Sequence, residues 1–265
     1  MFLEKENFKL YYEVLGQGHP MLMIHGASVD AGLYEATATY LAKHYRVIIY
    51  DRRGSSRSEV AHGAEVAYDL DTQVEDAKDL LLHLGIEKAI LVGASAGAIL
   101  AHRFLMKYPQ MVEKVLLYEP AMLTLLEDTE HSKREWVDKM KDLIARNKLN
   151  SAMFQFVQSI GELDSRAPEK SEEQSMREMK NLYNFLPMEY ETFIEYRPDM
   201  ERSKELAAQM IVAVGDGSKD APYATAAKTF AEGIGKNVLY YPGLHNAPYD
   251  LPKEFAICVL GTLLV

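Results

Sequence analysis

Ser95 stands in Gly93-Ala94-Ser95-Ala96-Gly97, between a short apolar run and a helical pattern. The run from Ala89 to Val92 predicts a fully buried strand, and Ala101, Phe104 and Leu105 resume at helical spacing. Gly-x-Ser-x-Gly in that setting describes a sharp strand–turn–helix corner with the serine on a strained residue. Small neighbours are what such a corner needs, because the turn leaves no room for side chains beside the serine. The hydroxyl is then presented at a helix N-terminus, whose amides and dipole favour developing negative charge. Glycine, alanine and serine are common, so an ordinary strand-to-helix turn explains the five residues equally well until partners are found.

A serine nucleophile needs a base, and the base needs an orienting carboxylate. Among eight histidines, His245 in Tyr240-Tyr241-Pro242-Gly243-Leu244-His245 has the setting for a base, in a proline–glycine loop after a late strand. His25 follows a strand and precedes Gly26-Ala27, so its ring can pin a loop whose amides face the nucleophile. His44, His62, His83, His102 and His131 lie in helical or loop contexts that give them structural or surface roles. Asp51 and Arg53, in the charged glycine turn Asp51-Arg52-Arg53-Gly54, read as a local ion-paired turn rather than as catalytic groups.

Short strands alternate with helices through the first 120 residues: period-two alternation over 2–14, then Met21 to Ile24, Tyr45 to Tyr50, Ala89 to Val92 and Val115 to Tyr118. Helices are expected at Tyr34 to His44, Asp71 to Leu84 (ended by Gly85) and from the serine corner to Tyr108. The pattern predicts an α/β fold with a mostly parallel central sheet and helices on both faces. The rhythm changes from Ala121 to Arg202, where charge-rich helical segments (Glu130 to Leu149, Ser151 to Ile160, Glu172 to Asn184) replace buried strands. The aromatic run Tyr190 to Tyr196 is the one stretch there that could pair as a strand. The first pattern returns with strands at Met210 to Val214 and Val238 to Tyr241 and helices at Ala221 to Ile234 and the end. Core residues 1–120 and 203–265 interrupted by a helical insertion, 121–202, is the economical division.

The chain has 265 residues, 48% of them hydrophobic, so a large core can be buried. A formal net charge of -10 argues against nucleic acid as a partner. The lone cysteine, Cys258, excludes an intrachain disulfide framework and sits in the apolar run Phe255 to Leu260 as a core thiol. Met1-Phe2-Leu3-Glu4-Lys5-Glu6 breaks any signal-peptide pattern, and no apolar run reaches membrane-spanning length. The expectation is a cytoplasmic protein with no membrane association.

Taken jointly and in order, His25-Gly26, the Asp51-Arg52-Arg53-Gly54 turn with Ser58, Gly93-x-Ser95-x-Gly97 and Pro242-Gly243-Leu244-His245 resemble the α/β-hydrolase-fold enzymes. The resemblance covers nearly all of the chain. It implies Ser95 as nucleophile, His245 as general base, and an oxyanion hole from the backbone amides of Ala27 and Ala96. It also implies that 121–202 is a cap over the pocket. The expected partner is a small-molecule substrate, with no cofactor and no metal.

The acid departs from that family's habit of an aspartate shortly after the strand ending near Val214. Here Gly217 and Ser218 occupy the slot, flanked by Asp216 and Asp220. The other position is the tip of the preceding strand, where Glu119 follows Val115-Leu116-Leu117-Tyr118 on the ligand-binding side of the sheet. Glu119 ranks slightly ahead of Asp220, Asp216 comes third, and a loop-capping role before Pro120 is the alternative for Glu119. A serine at the corner argues against the relatives with an aspartate nucleophile. The expected reaction is hydrolysis of a small apolar carboxylic ester or related acyl bond through an acyl-enzyme. A carbon–carbon hydrolase, an acyltransferase or a non-catalytic ligand receptor on the same scaffold are the alternatives. Aromatic and methionine residues of the insertion (Met140, Met153, Phe154, Phe156, Tyr183, Phe185, Met188, Tyr190, Phe193, Tyr196) could line an acyl pocket, although most are expected simply to close the cap onto the core.

Overall fold

The computed structural model describes residues 1–126, 131–160, 164–218 and 221–263. Eight strands form one sheet: β1 (Phe2–Glu4), β2 (Lys9–Leu15), β3 (His19–Ile24), β4 (Tyr45–Tyr50), β5 (Ala89–Ala94), β6 (Val112–Tyr118), β7 (Met210–Gly215) and β8 (Leu239–Tyr241). Their order is β1-β2-β4-β3-β5-β6-β7-β8. β1 and β2 pair antiparallel, β2 is antiparallel to β4, and the ladder from β4 to β8 is parallel. The order reverses between β3 and β5, and a crevice opens at the carboxyl ends of strands where such a reversal occurs.

The period of two explains why both faces are covered. Leu22 and Ile24 of β3 point into one apolar cluster with Leu91, Leu117 and Val212. Met21 and Met23 point into the other with Val92, Leu116 and Ala213. Helices α1 (Glu35–Leu41), α2 (Leu70–His83) and α3 (Ala96–Lys107) lie in the first half of the chain. Asp69 caps α2 by accepting from the Thr72 amide, Val74, Ala77, Leu80 and Leu81 form its buried face, and Gly85 follows at φ 71°.

Between β6 and β7 every regular element among the described residues is helical, including α4 (His131–Ala145), α5 (Leu149–Ile160), α6 (Glu172–Met188), α7 (Tyr190–Ile194) and α8 (Met200–Glu205). The two helical segments expected at 130–149 and 151–160 are α4 and α5, with the break between them earlier than expected: α4 ends at Ala145, Asn147 turns at φ 55°, and α5 starts at Leu149. The aromatic run at 190 is helix α7, because Tyr190 and Phe193 fall on one face and pack on Phe185. Helix α8 runs across the boundary expected at 202. The chain closes with α9 (Pro222–Gly233), α10 (Ala247–Asp250) and α11 (Pro252–Leu263). Cys258, on α11, is half-buried. No helix among the described residues is long and apolar enough to cross a membrane.

Buried polar contacts hold the helical segment to the sheet. Arg52, 2% exposed, pairs with Glu189 and Gln73 and donates to the Gly26 carbonyl at 3.1 Å. Arg177 of α6 meets Asp30 at 2.9 Å, and Asn181 accepts from the Ser56 amide at 2.8 Å. His102 of α3 joins the far end: Tyr196 Oη lies 2.6 Å from Nδ1 and Ser203 Oγ 2.9 Å from Nε2. Ser203 already donates to the Asp199 carbonyl. It therefore accepts from Nε2–H, while Nδ1 accepts from Tyr196. Asp51 receives Arg57 within the charged turn and also the Ala31 amide, whereas Arg53 leaves the turn and forms a two-pronged pair with Asp76 of α2 at 2.6 and 2.7 Å.

His25 and His102 are both completely buried and neutral, and burial lowers each to about 3. An unfolded chain takes up a proton at each near pH 6.5, whereas the folded chain does not. Their contribution is thus complete above pH 6.5 and is lost as pH falls toward 3, by about 1.4 kcal/mol per pH unit for each histidine. Urea unfolding should show stability decreasing between pH 6.5 and 5.5 with uptake approaching about two protons. His102→Gln should halve the slope. A stability constant from pH 7.5 to 5.5 would contradict this assignment.

Candidate active site

Ser95 lies between β5 and α3 with φ 56° and ψ -122°, a conformation that residues with a Cβ rarely adopt. Its surroundings account for its glycines. A Cβ on Gly97 would come within 2.0 Å of the Ile24 carbonyl oxygen, so the first turn of α3 rests directly on the end of β3. A Cβ on Gly93 would lie 2.4 Å from the Gly97 oxygen. Ser95 itself is tied down by its amide, which donates to the Tyr118 carbonyl at 2.9 Å. Ala96 is the first residue of α3, where an amide has no intrahelical acceptor. Gly26 brings the following loop against the same corner, since its Cβ position is 3.2 Å from the Ser95 Cβ.

That loop is set by His25. Nε2 accepts from the Arg52 amide at 2.9 Å, so Nδ1 carries the proton and donates to the Gly26 carbonyl at 2.9 Å. Arg52 grips the same carbonyl from the other side. Ala27, next in the chain, shares one cavity with Ser95, Ala96 and His245.

Glu119 follows β6 at φ 45° and is fully buried. One carboxylate oxygen accepts from the Gly215 amide at 2.8 Å, and the other lies 2.6 Å from His245 Nδ1. An ionised carboxylate has only acceptors, so Nδ1 carries the hydrogen and Nε2 is left as the basic nitrogen. The histidine loop is fixed to the same strand, because Tyr118 Oη donates to the Leu244 carbonyl at 2.7 Å. Asp216 is engaged elsewhere: its carboxylate accepts from the Gly243 amide at 3.0 Å, closing the loop before His245. Asp220 lies outside the described residues.

The cavity has a volume of about 470 Å³. Its floor is the serine corner, and its walls come largely from the helices between β6 and β7. Of the ten aromatic and methionine residues considered in the sequence, Phe156, Phe185, Tyr190 and Phe193 line it. Met140 and Tyr196 are buried in packing, while Phe154, Tyr183 and Met188 face solvent. Lys141, at the wall, is paired with Glu195 and lies 3.5 Å from Glu191. Trp136 and Tyr223, which no motif in the sequence marks, also line the cavity. Trp136 is the chain's single tryptophan, a usable signal; nothing local to Tyr223 marks it except its place one residue after the helix-starting Pro222. Arg52 carried a signal in its turn, but its partner Glu189 lies 137 residues away.

The comparisons with known proteins agree with this architecture. An uncharacterized hydrolase of Bacillus subtilis (strain 168), YraK, is 28% identical over 259 residues, covering 96% of this chain and 92% of that protein. Among solved structures, MGS-M2, an alpha/beta hydrolase enzyme from a deep-sea metagenome library of the Medee basin, superposes with a TM-score of 0.78 at 19% identity, covering 100% of this chain and 98% of its own. A thermophilic esterase from Thermogutta terrifontis has a TM-score of 0.71 at 21% identity, covering 97% and 93%. The family model for the alpha/beta hydrolase fold matches residues 19–246, and the chain belongs to that family of enzymes.

Proposed function

We propose that this alpha/beta hydrolase is a serine hydrolase that cleaves a small, mostly apolar carboxylic ester or related acyl bond. The observation that carries the reading is the 2.6 Å contact between Glu119 and His245 Nδ1 beside a cavity that also holds Ser95. In this reading His245 Nε2 takes the Ser95 proton as Oγ adds to the substrate carbonyl. The oxyanion forms against the amides of Ala27 and Ala96, and the imidazolium is stabilised by the Glu119 carboxylate. Collapse breaks the bond to the leaving alcohol, which departs with the proton from Nε2. Water then repeats the sequence on the acyl-serine, releasing the acid and restoring the hydroxyl.

The helical segment 121–202 serves in this scheme as the cap. Phe156, Phe185 and Phe193 give the acyl group an apolar wall, and an apolar wall raises the strength of every charge interaction at the reacting carbonyl by excluding water.

Purified protein should hydrolyse chromogenic esters of short and medium acyl chains. Ser95→Ala should lower kcat by about 10⁴-fold or more with an unchanged melting temperature. Full activity in that variant would end the reading. The acid is tested separately. Glu119→Gln should reduce kcat by about 10³- to 10⁴-fold with little effect on KM, because the amide cannot stabilise the imidazolium. Asp220→Asn should retain nearly full activity. The opposite pattern would transfer the role to Asp220.

A further inference from the structure

In the reading above the acid stands just after β6, and a residue in the region that follows β7 meets the imidazole in a different way. Helix α9 starts there at Pro222, and its second residue, Tyr223, turns its ring onto His245. The two ring centroids are 3.9 Å apart with the planes inclined by 36°. The contact is a tilted stack rather than an edge contact, and it is closer than any other ring pair described in this molecule. Ala224, Ala226 and Ala227 are fully buried. The helix that carries Tyr223 is therefore seated in the core, which leaves the ring little freedom to swing away.

We propose that Tyr223 is a positioning residue that holds the His245 imidazole in its working orientation and favours its cationic form. The inference rests on the serine-hydrolase reading above. Glu119 fixes one edge of the imidazole through Nδ1, but a single hydrogen bond still permits the ring to rock about it. A face-on aromatic neighbour removes that freedom. The same face carries negative quadrupolar density, so it attracts the imidazolium that forms when Nε2 takes the serine proton. The phenol stays neutral for this role: burial, assisted by the charge of Glu119, pushes its ionisation up to about 12. Among the described residues, ionisable groups on the neighbouring segments include Glu119 just after β6, Tyr118 of β6 and Asp216 after β7. The first bonds Nδ1, the second bonds the Leu244 carbonyl and the third bonds the Gly243 amide. None of the three stacks on the ring.

The test compares Tyr223→Phe with Tyr223→Leu, which keeps an apolar side chain and loses the π face. Tyr223→Phe should retain near-normal turnover. Tyr223→Leu should lower kcat on a chromogenic ester by about 3- to 30-fold, with KM within about twofold. A second readout needs no turnover: the downfield proton resonance of His245 Nδ1–H, assigned by its loss in His245→Gln. It should persist in Tyr223→Phe and broaden or vanish in Tyr223→Leu. Circular dichroism melting checks each variant, and Tyr223→Met replaces the leucine variant if that one does not fold. Wild-type kcat and an unchanged resonance in the leucine variant would overturn the proposal. So would a rise in KM alone, which would reduce Tyr223 to cavity wall. If the wild-type protein hydrolyses no ester, the serine-hydrolase reading fails, and the resonance alone then decides whether Tyr223 orders His245.

Discussion

A serine held at φ 56° and ψ -122° is the constraint around which this molecule is arranged. Such a backbone costs about 1–3 kcal/mol and persists only where its neighbours leave no alternative. Here β3 and the first turn of α3 meet across Gly97 with no room for a methyl group, and the Ser95 amide is tied to β6. Relaxing the serine would separate α3 from the sheet and open the apolar cluster that includes Ile99, Phe104 and Leu105. The strain is therefore held by the whole core, and its effect is to place one hydroxyl beside an unpaired helix-terminal amide.

The second half of the site is built by β6 and β7 working as a pair. Glu119 is fully buried, and its two oxygens are met by an amide at the end of β7 and by the imidazole. A buried carboxylate without such partners would be strongly disfavoured. Arg52 plays the corresponding part on the other side, connecting the Gly26 carbonyl to Glu189 at the start of α7. The loop beneath the serine and the helical wall above the cavity thus share one guanidinium. Movement of the helices relative to the sheet would uncover that charge pair, so the polar contacts favour one relative position of wall and floor.

Much of this was readable from the chain, and the reasons are physical. Strands buried on both faces appear as continuous apolar runs, and β3 to β7 are legible for that reason. The serine corner announced itself through the small residues that its packing demands. Glu119 emerged as a candidate because strand ends on one side of a parallel sheet converge on a single crevice. What stayed hidden depends on contacts between distant segments. The Arg52–Glu189 pair joins residues 137 positions apart, and the stack of Tyr223 on His245 depends on how helix α9 is seated. The aromatic run at Tyr190 fits a strand by composition, and only its packing against Phe185 selects the helix.

In the proposed serine-hydrolase reaction, Ser95, His245 and the amides of Ala27 and Ala96 converge on one carbonyl. A crystal structure of the protein after reaction with an aryl phosphonate ester tests this most directly. The account predicts a covalent bond from phosphorus to Ser95 Oγ, with the phosphoryl oxygen about 2.7–3.1 Å from both the Ala27 and Ala96 amides. Attachment at any other residue would contradict it, as would a phosphoryl oxygen turned away from those two amides.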